Sequence, residues 1–154
     1  MRDAADLDAT VALFRAYAAA LPIDLAYQGF EAELAAMPGP YAAPTGALLI
    51  ARGASGAALG CVGLRGLAPP DTCEMKRLYV DPGARGSGLG EALVAAIIAA
   101  GERLGYREMR LDTLPSMVGA LALYRRAGFT PTGPYYDTPI AGTLFLRRDL
   151  APRP

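Results

Sequence analysis

Histidine is absent from the 154 residues, cysteine occurs only twice, and acidic and basic residues balance to a formal charge of zero. Without histidine there is no Ser/His/Asp or Cys/His catalytic arrangement, which leaves carboxylates, Tyr, Lys, Cys and backbone dipoles to do any chemistry. Cys61 and Cys73 lack CxxC spacing and fall in segments that read as strands. They give neither a metal site nor a disulfide framework and are read as small strand residues. The charge balance shows no basic stripe of the kind that binds nucleic acid. Hydrophobic stretches are broken by Gly, Pro or charge well before the roughly 18 to 20 residues needed to cross a bilayer, so no transmembrane helix is expected. Met1-Arg2-Asp3-Ala4-Ala5-Asp6 carries acid where a secretory signal has a positive start and an apolar run, which places the protein in the cytoplasm. The length suits one domain over residues 1–154, with one active site.

What is present begins with helical periodicity. Leu7, Val11, Leu13, Phe14 and Tyr17 predict a helix from Asp6 to Leu21, with Asp6 as its cap and Pro22 closing it. A shorter helix is predicted from Phe30 to Met37, stopped by Pro38-Gly39-Pro40. The period then changes. Ala47 to Arg52, Ala57 to Arg65 and Thr72 to Val80 read as an antiparallel meander of strands separated by turn residues. Gly88 to Leu104 is the longest helical pattern, stopped by Gly105. A strand from Glu108 to Asp112, a helix from about Ser116 to Ala127 ended by Gly128, and a strand from Thr143 to Arg148 complete the order. This is a mixed α/β sheet in which the third and fourth helices are crossovers.

The informative segment is Glu74-Met75-Lys76-Arg77-Leu78-Tyr79-Val80-Asp81-Pro82-Gly83-Ala84-Arg85-Gly86-Ser87-Gly88-Leu89-Gly90-Glu91, a strand running through a glycine-rich turn into the longest helix. Backbone N–H groups at a helix start lack intrahelical partners and carry partial positive charge, so such a turn seats a phosphate or pyrophosphate, and Arg85 adds a bidentate cation. A P-loop needs Gly-Lys-Ser/Thr at the helix start, and the dinucleotide fingerprint needs Gly or Ala where Glu91 stands. Neither matches.

Arg85-x-x-Gly88-x-Gly90 after a strand ending in Leu78-Tyr79-Val80 resembles the coenzyme A pyrophosphate motif of the GNAT (GCN5-related N-acetyltransferase) superfamily. Ala120-Leu121-Ala122-Leu123-Tyr124-Arg125-Arg126-Ala127-Gly128-Phe129 resembles that family's second signature, a helix carrying Tyr followed by Gly-Phe. The resemblance covers about residues 2 to 148. It implies the GNAT fold, with an antiparallel N-terminal meander, parallel central strands splayed at a bulge and about four helices. It also implies acetyl-CoA as co-substrate, no metal, and acetyl transfer to a primary amine of a small molecule or amino acid. A homodimer is left open.

Departures from the family pattern are visible. Met117 stands where family members often carry a cofactor-touching Asn, so that contact passes to Ser116 or is lost. Only Met1 to Ala4 remain for the family's opening strand, which is expected to be short or missing.

The resemblance also implies roles. The pantetheine arm lies beside the strand ending at Val80, with the main chain of Leu78, Tyr79 and Val80 at hand, and a backbone N–H near Leu78 holds the oxyanion of the tetrahedral intermediate. Arg85, Gly86, Ser87, Gly88, Leu89 and Gly90 hold the pyrophosphate. Glu74 stands where several members place a glutamate that receives the amine's proton. Direct transfer from an ordinary ammonium to an ordinary carboxylate is uphill by about 8 kcal/mol, so burial, an unusually acidic amine or a water relay has to help. The alternative is a strand-edge glutamate paired with Arg or Lys. Tyr124 resembles the tyrosine aimed at the cofactor sulfur. Full proton donation to the thiolate is uphill by roughly 2 kcal/mol, so a stabilising hydrogen bond serves as well. The alternative there is a buried tyrosine anchoring the turn.

Asp112-Thr113-Leu114-Pro115 either lines the split between strands or caps the next helix. Tyr135-Tyr136-Asp137, with Tyr27, Phe30 and Tyr41, either shapes an acceptor pocket or only packs. Two rival functions remain: a non-catalytic acyl-CoA sensor, against which Glu74 and Tyr124 argue, and modification of a protein N-terminus or lysine, which wants an open acidic groove that the sequence does not show.

Overall fold

The structure, a computed structural model, describes residues 3–152. Helix α1 (Ala4–Ala20) opens the described chain. Its cap is Asp3, whose side chain accepts from the Asp6 N–H, and not Asp6. The carboxylate of Asp6 instead pairs with Arg52 at 2.7 Å. No strand precedes α1 among the described residues, and Met1 and Arg2 lie outside them. A 3-10 turn (Leu25–Gln28), helix α2 (Phe30–Ala35) and a second 3-10 turn (Gly39–Tyr41) lead into strands β1 (Ala47–Arg52), β2 (Ala58–Gly66) and β3 (Thr72–Val80). Helix α3 (Leu89–Arg103), strand β4 (Glu108–Thr113), helix α4 (Val118–Arg126), and strands β5 (Thr130–Thr132) and β6 (Leu144–Asp149) follow.

The six strands form one sheet in the order β1-β2-β3-β4-β6-β5. Strands β1, β2 and β3 are the antiparallel meander, α3 crosses over to the parallel strand β4, and α4 leads to β5 with β6 between it and β4. Strand β5, absent from the sequence reading, is three exposed or half-exposed residues with Pro131 at its centre, on the sheet's edge where a proline costs no ladder bond.

Each face of the sheet carries its own core. Leu93, Val94, Ile97 and Ile98 of α3 pack on Val62, Leu64, Met75, Met109 and Leu111. On the other face Leu13 and Phe14 of α1, with Leu25, Phe30, Leu34 and Tyr41, cover Leu48 and Cys61. Strand β3 changes allegiance between them. Cys73 and Met75 point to the α3 face and Glu74 and Lys76 to the α1 face, as strict alternation demands. At Arg77, which has φ 60°, the pairing with β2 slips a residue, so that Cys61 faces Tyr79 while Gly63 faces Lys76. This bulge turns Arg77 to the same side as Lys76 and leaves Leu78 and Val80 on the α3 face.

Strands β3 and β4 pair only from Thr72 and Glu108 to Glu74 and Arg110. Beyond that point they splay, as the family resemblance implied. The opening runs from Met75 to Val80 on one side and Leu111 to Thr113 on the other.

Candidate functional site

The turn after β3 is built to leave donors unused. Asp81 closes its start by accepting from the Gly83 N–H at 3.0 Å, and the Ser87 hydroxyl donates back to the Ala84 carbonyl. Gly86 and Gly88 then take φ 80° and 83°, a left-handed conformation that suits glycine, and a Cβ at either would meet nothing within 4 Å. Gly88 is the N-cap of α3 and brings no capping side chain, so the first-turn N–H groups of α3 are left without a side-chain acceptor. Arg85 is exposed beside them. Its guanidinium lies 5.8 Å from the Tyr79 ring centre and its Nε donates to the Val80 carbonyl at 3.1 Å. Gly90 is needed for a different reason: its Cβ position is 3.3 Å from Leu123, where α3 and α4 approach. Free amides, a nearby cation and vacant space fit a pyrophosphate.

The split itself is a cavity lined by Met75, Lys76, Arg77 and Leu78 of β3, Leu111, Asp112 and Thr113 of β4, Met117 and Tyr124, and Tyr17 and Gln28. The Asp81 N–H donates to Leu59 of the β2 side at 2.8 Å, and alternation along the strand then turns the main-chain groups of Leu78 and Val80 toward the split. Tyr124 reaches the cavity from the last turns of α4, held edge-on to Phe129 with ring centres 6.0 Å apart. Its hydroxyl has no hydrogen-bond partner among the described residues, and burial pushes its pKa well above the usual phenol value. Ser116 is exposed in the turn before α4 and lines no cavity. Met117 takes the wall position, its sulfur 3.6 Å from the Thr113 hydroxyl.

On the α1 side lies a group of buried charges. Glu74 is 1% exposed. Its Oε1 accepts from Arg65 Nε at 2.8 Å, and its Oε2 accepts from the Tyr135 hydroxyl. It does not reach the cavity, because Lys76 stands between, with Nζ 4.0 Å from Glu74 Oε1 and 3.7 Å from Asp112 Oδ1. Burial lowers the Lys76 pKa, and the two carboxylates oppose that only in part. Arg77 grips Glu33 with Nε and Nη2 at 3.0 and 3.2 Å and gives Nη1 to Gln28 at 2.8 Å. Tyr136 donates to Asp112 Oδ2 at 2.6 Å, and burial followed by this carboxylate pushes its phenol pKa up strongly. Tyr135, Tyr136 and Phe145 stack edge-on with ring centres 5.2 to 5.5 Å apart.

Of the residues singled out from sequence, the structure gathers Leu78, Tyr124 and Asp112 around one cavity, while Arg85 to Gly90 follow β3 in the turn before α3 and do not line it. Glu74 lies one side chain behind. Lys76, Arg77 and Arg65 were missed, although consecutive charges in the middle of an otherwise buried strand were a readable signal. A second cavity adjoins the first, sharing Tyr17, Gln28, Asp112, Thr113 and Met117, and opens between the end of α1, the turn Leu25–Gln28 and Thr143.

Comparison with known proteins agrees with this geometry. An uncharacterized N-acetyltransferase of Schizosaccharomyces pombe is 42% identical over 146 residues, which span 95% of this chain and 90% of that protein. The solved structure of a GNAT-family acetyltransferase from Staphylococcus aureus superposes with a TM-score of 0.77 at 18% identity, covering 96% of this chain and 95% of that one. A phosphinothricin acetyltransferase from Sinorhizobium meliloti in complex with acetyl-CoA gives a TM-score of 0.71 at 22% identity, covering 96% and 85%. At these identities the two structures speak for the fold. The model of the acetyltransferase (GNAT) family matches residues 12–129, from inside α1 to the Gly-Phe after α4, and with the splayed strands and uncapped helix between those limits, the chain belongs to the GNAT family of acetyltransferases.

Proposed function

We propose that this acetyltransferase moves the acetyl group of acetyl-CoA to the primary amine of a small molecule bound on the α1 side of the split. The observation that carries the reading is the order of groups along β3. Lys76, Arg77 and Leu78 line the cavity that Tyr124 also lines, and the same strand then runs through the glycine turn to the uncapped start of α3 beside Arg85. The chemistry acetyl-CoA supplies is an activated acyl group on a good thiolate leaving group. The chain supplies the rest. Arg85 to Gly90 bind the pyrophosphate, and Leu78 and Val80 offer the outward main-chain groups of β3 to the pantetheine arm. Tyr124 gives a hydrogen bond where the thiolate departs. Glu74 is the final proton acceptor, reached through Lys76 or water because no direct path from the cavity meets it.

The binding half is tested by calorimetry with acetyl-CoA on Gly88→Glu and Gly88→Ala. Both variants strain a φ of 83°, at a cost of about 1 kcal/mol of stability, but only glutamate fills the cradle with bulk and negative charge. The expected result is affinity retained within a few-fold in Gly88→Ala and lost at least a hundredfold in Gly88→Glu. Equal affinity in both folded variants removes the turn from the site. The transfer half is tested by free-thiol release from acetyl-CoA across a panel of primary amines.

A further inference from the structure

The two carboxylates near the split differ in what their oxygens have left to offer. Glu74 has both oxygens engaged, by Arg65 and Tyr135, and lines neither cavity. Asp112 lines both. It sits on β4 two residues past Arg110, the last to pair with β3, so its side chain stands in the splayed part of the sheet. Tyr136 fixes its Oδ2 at 2.6 Å, while the nearest cation to Oδ1, Lys76 Nζ, is at 3.7 Å, beyond hydrogen-bond reach. Oδ1 therefore has no hydrogen bond among the described residues. Arg77 is committed to Glu33 and Gln28, and Lys76, which donates to Gln28 at 3.3 Å, divides its charge between Glu74 Oε1 at 4.0 Å and Asp112 Oδ1 at 3.7 Å, so Oδ1 has a distant ion pair but no hydrogen bond from it. A held, half-buried carboxylate oxygen with spare acceptor capacity calls for a donor bearing positive charge.

The surroundings define the rest of the ligand. Asp112 lies where the inner cavity, which reaches Tyr124, meets the outer one, whose wall beyond the shared residues is Leu21, Ile23, Leu25, Tyr27, Leu114 and Thr143. A cation docked on Oδ1 has the splayed edge of β3 on one side and, on the other, a mixed wall in which Leu21, Ile23, Leu25 and Leu114 are the aliphatic members.

We infer that Asp112 is the docking carboxylate for the acceptor: its Oδ1 takes the ammonium of a primary amine at the junction of the two cavities, and Leu21, Ile23 and Leu25 take that amine's hydrocarbon substituent. This rests on the acetyl-transfer reading for its consequence in turnover but not for the binding itself. It also separates two roles, since Asp112 sets how well the amine binds and Glu74 how fast its proton leaves.

The experiment has two arms. In the binding arm, phenethylamine is titrated by calorimetry into the protein saturated with coenzyme A. Asp112→Asn, nearly isosteric and still able to accept from Tyr136, is expected to weaken binding at least tenfold with the melting temperature within a few degrees of wild type. Tyr136→Phe, which frees the carboxylate without neutralising it, is expected to weaken binding by a smaller factor and serves if Asp112→Asn does not fold. Absence of phenethylamine binding to the wild type, or equal binding to both variants, overturns the proposal. In the kinetic arm, n-alkylamines from ethylamine to hexylamine are compared by thiol release. The expected outcome is kcat/KM rising with chain length, Asp112→Asn raising the amine KM at least tenfold with the acetyl-CoA KM unchanged, and Glu74→Gln lowering kcat with the amine KM unchanged. An Asp112→Asn variant that loses only kcat overturns the docking role. If no amine releases thiol while Asp112-dependent binding persists, the transfer reading fails and the docking site stands.

Discussion

At Tyr124 the same burial that raises the phenol pKa also decides what the hydroxyl can contribute. A phenol held well above its usual pKa is a worse proton donor than one in water, so complete transfer to a thiolate becomes more uphill and a hydrogen bond to the charged leaving group is the favoured service. Because the hydroxyl has no protein partner to lose, Tyr124→Phe is expected to keep its melting temperature or raise it slightly, to bind acetyl-CoA normally, and to turn over some 10 to 10³ times more slowly. Calorimetric melting with steady-state kinetics checks this, and normal turnover would take the hydroxyl out of the reaction. Cys61 offers a second residue-scale test. It is fully buried, and burial pushes its thiol up to about 12. A folded pKa above the unfolded value means stability that is complete below about pH 8.5 and is lost as pH rises toward about 12. Between pH 7.5 and 9.5 this thiol accounts for a loss on the order of 1.4 kcal/mol. Lys76, with its lowered pKa, acts with the opposite sign up to about pH 10.4, but it does so in wild type and variant alike. Urea midpoints of wild type and Cys61→Ala at both pH values should therefore show a smaller drop in the variant, whatever the variant's absolute stability.

Among the elements, the bulge of β3 is flanked by a close contact on the α1 face of the sheet. Gly63, next to the slipped pair on β2, has its Cβ position 2.8 Å from Tyr41 Cε1 and 2.9 Å from Cδ1, and that ring is itself held edge-on to Phe14 at 5.8 Å. Gly63→Ala drives a methyl into a fully buried ring and should cost about 1 to 3 kcal/mol in urea unfolding. No loss at all would mean the ring moves freely. Elements of this kind were unevenly legible. The long helix α3 and the meander announced themselves because periods of 3.6 and 2 persist over many residues, and their ends fell within a residue of expectation. The cap of α1 was misplaced because Asp3 and Asp6 are equally good caps in sequence, and only the distant Arg52 shows that Asp6 is otherwise employed. Strand β5 was too short and too polar to carry a period.

Over the whole molecule, the geometry of the glycine turn was largely readable in the sequence and that of the cavity beside α1 was not. Such a turn is local: Arg85, Gly86 and Gly88 specify it and the helix start within six residues. The acceptor side draws on α1, the turn after it, β3, β4 and the segment before β6, and nothing in a linear chain says that Tyr136 will clamp Asp112 or that Tyr135 will occupy Glu74. The phase change at Arg77 has a further consequence. Strand β3 is in effect two short strands spliced out of step. On the proposed reading, Lys76 and Arg77 face the amine from the α1 side while the main chain of Leu78 and Val80 faces the thioester arm. On that reading, substitutions at Lys76 and Arg77 are expected to change which amine is accepted while leaving acetyl-CoA affinity unchanged, which calorimetry on each variant checks. Deleting Arg77 would restore strict alternation with Leu78 and Val80 still on the α3 face, so what the extra residue adds is a second consecutive cation on the α1 face, the one that grips Glu33 and Gln28.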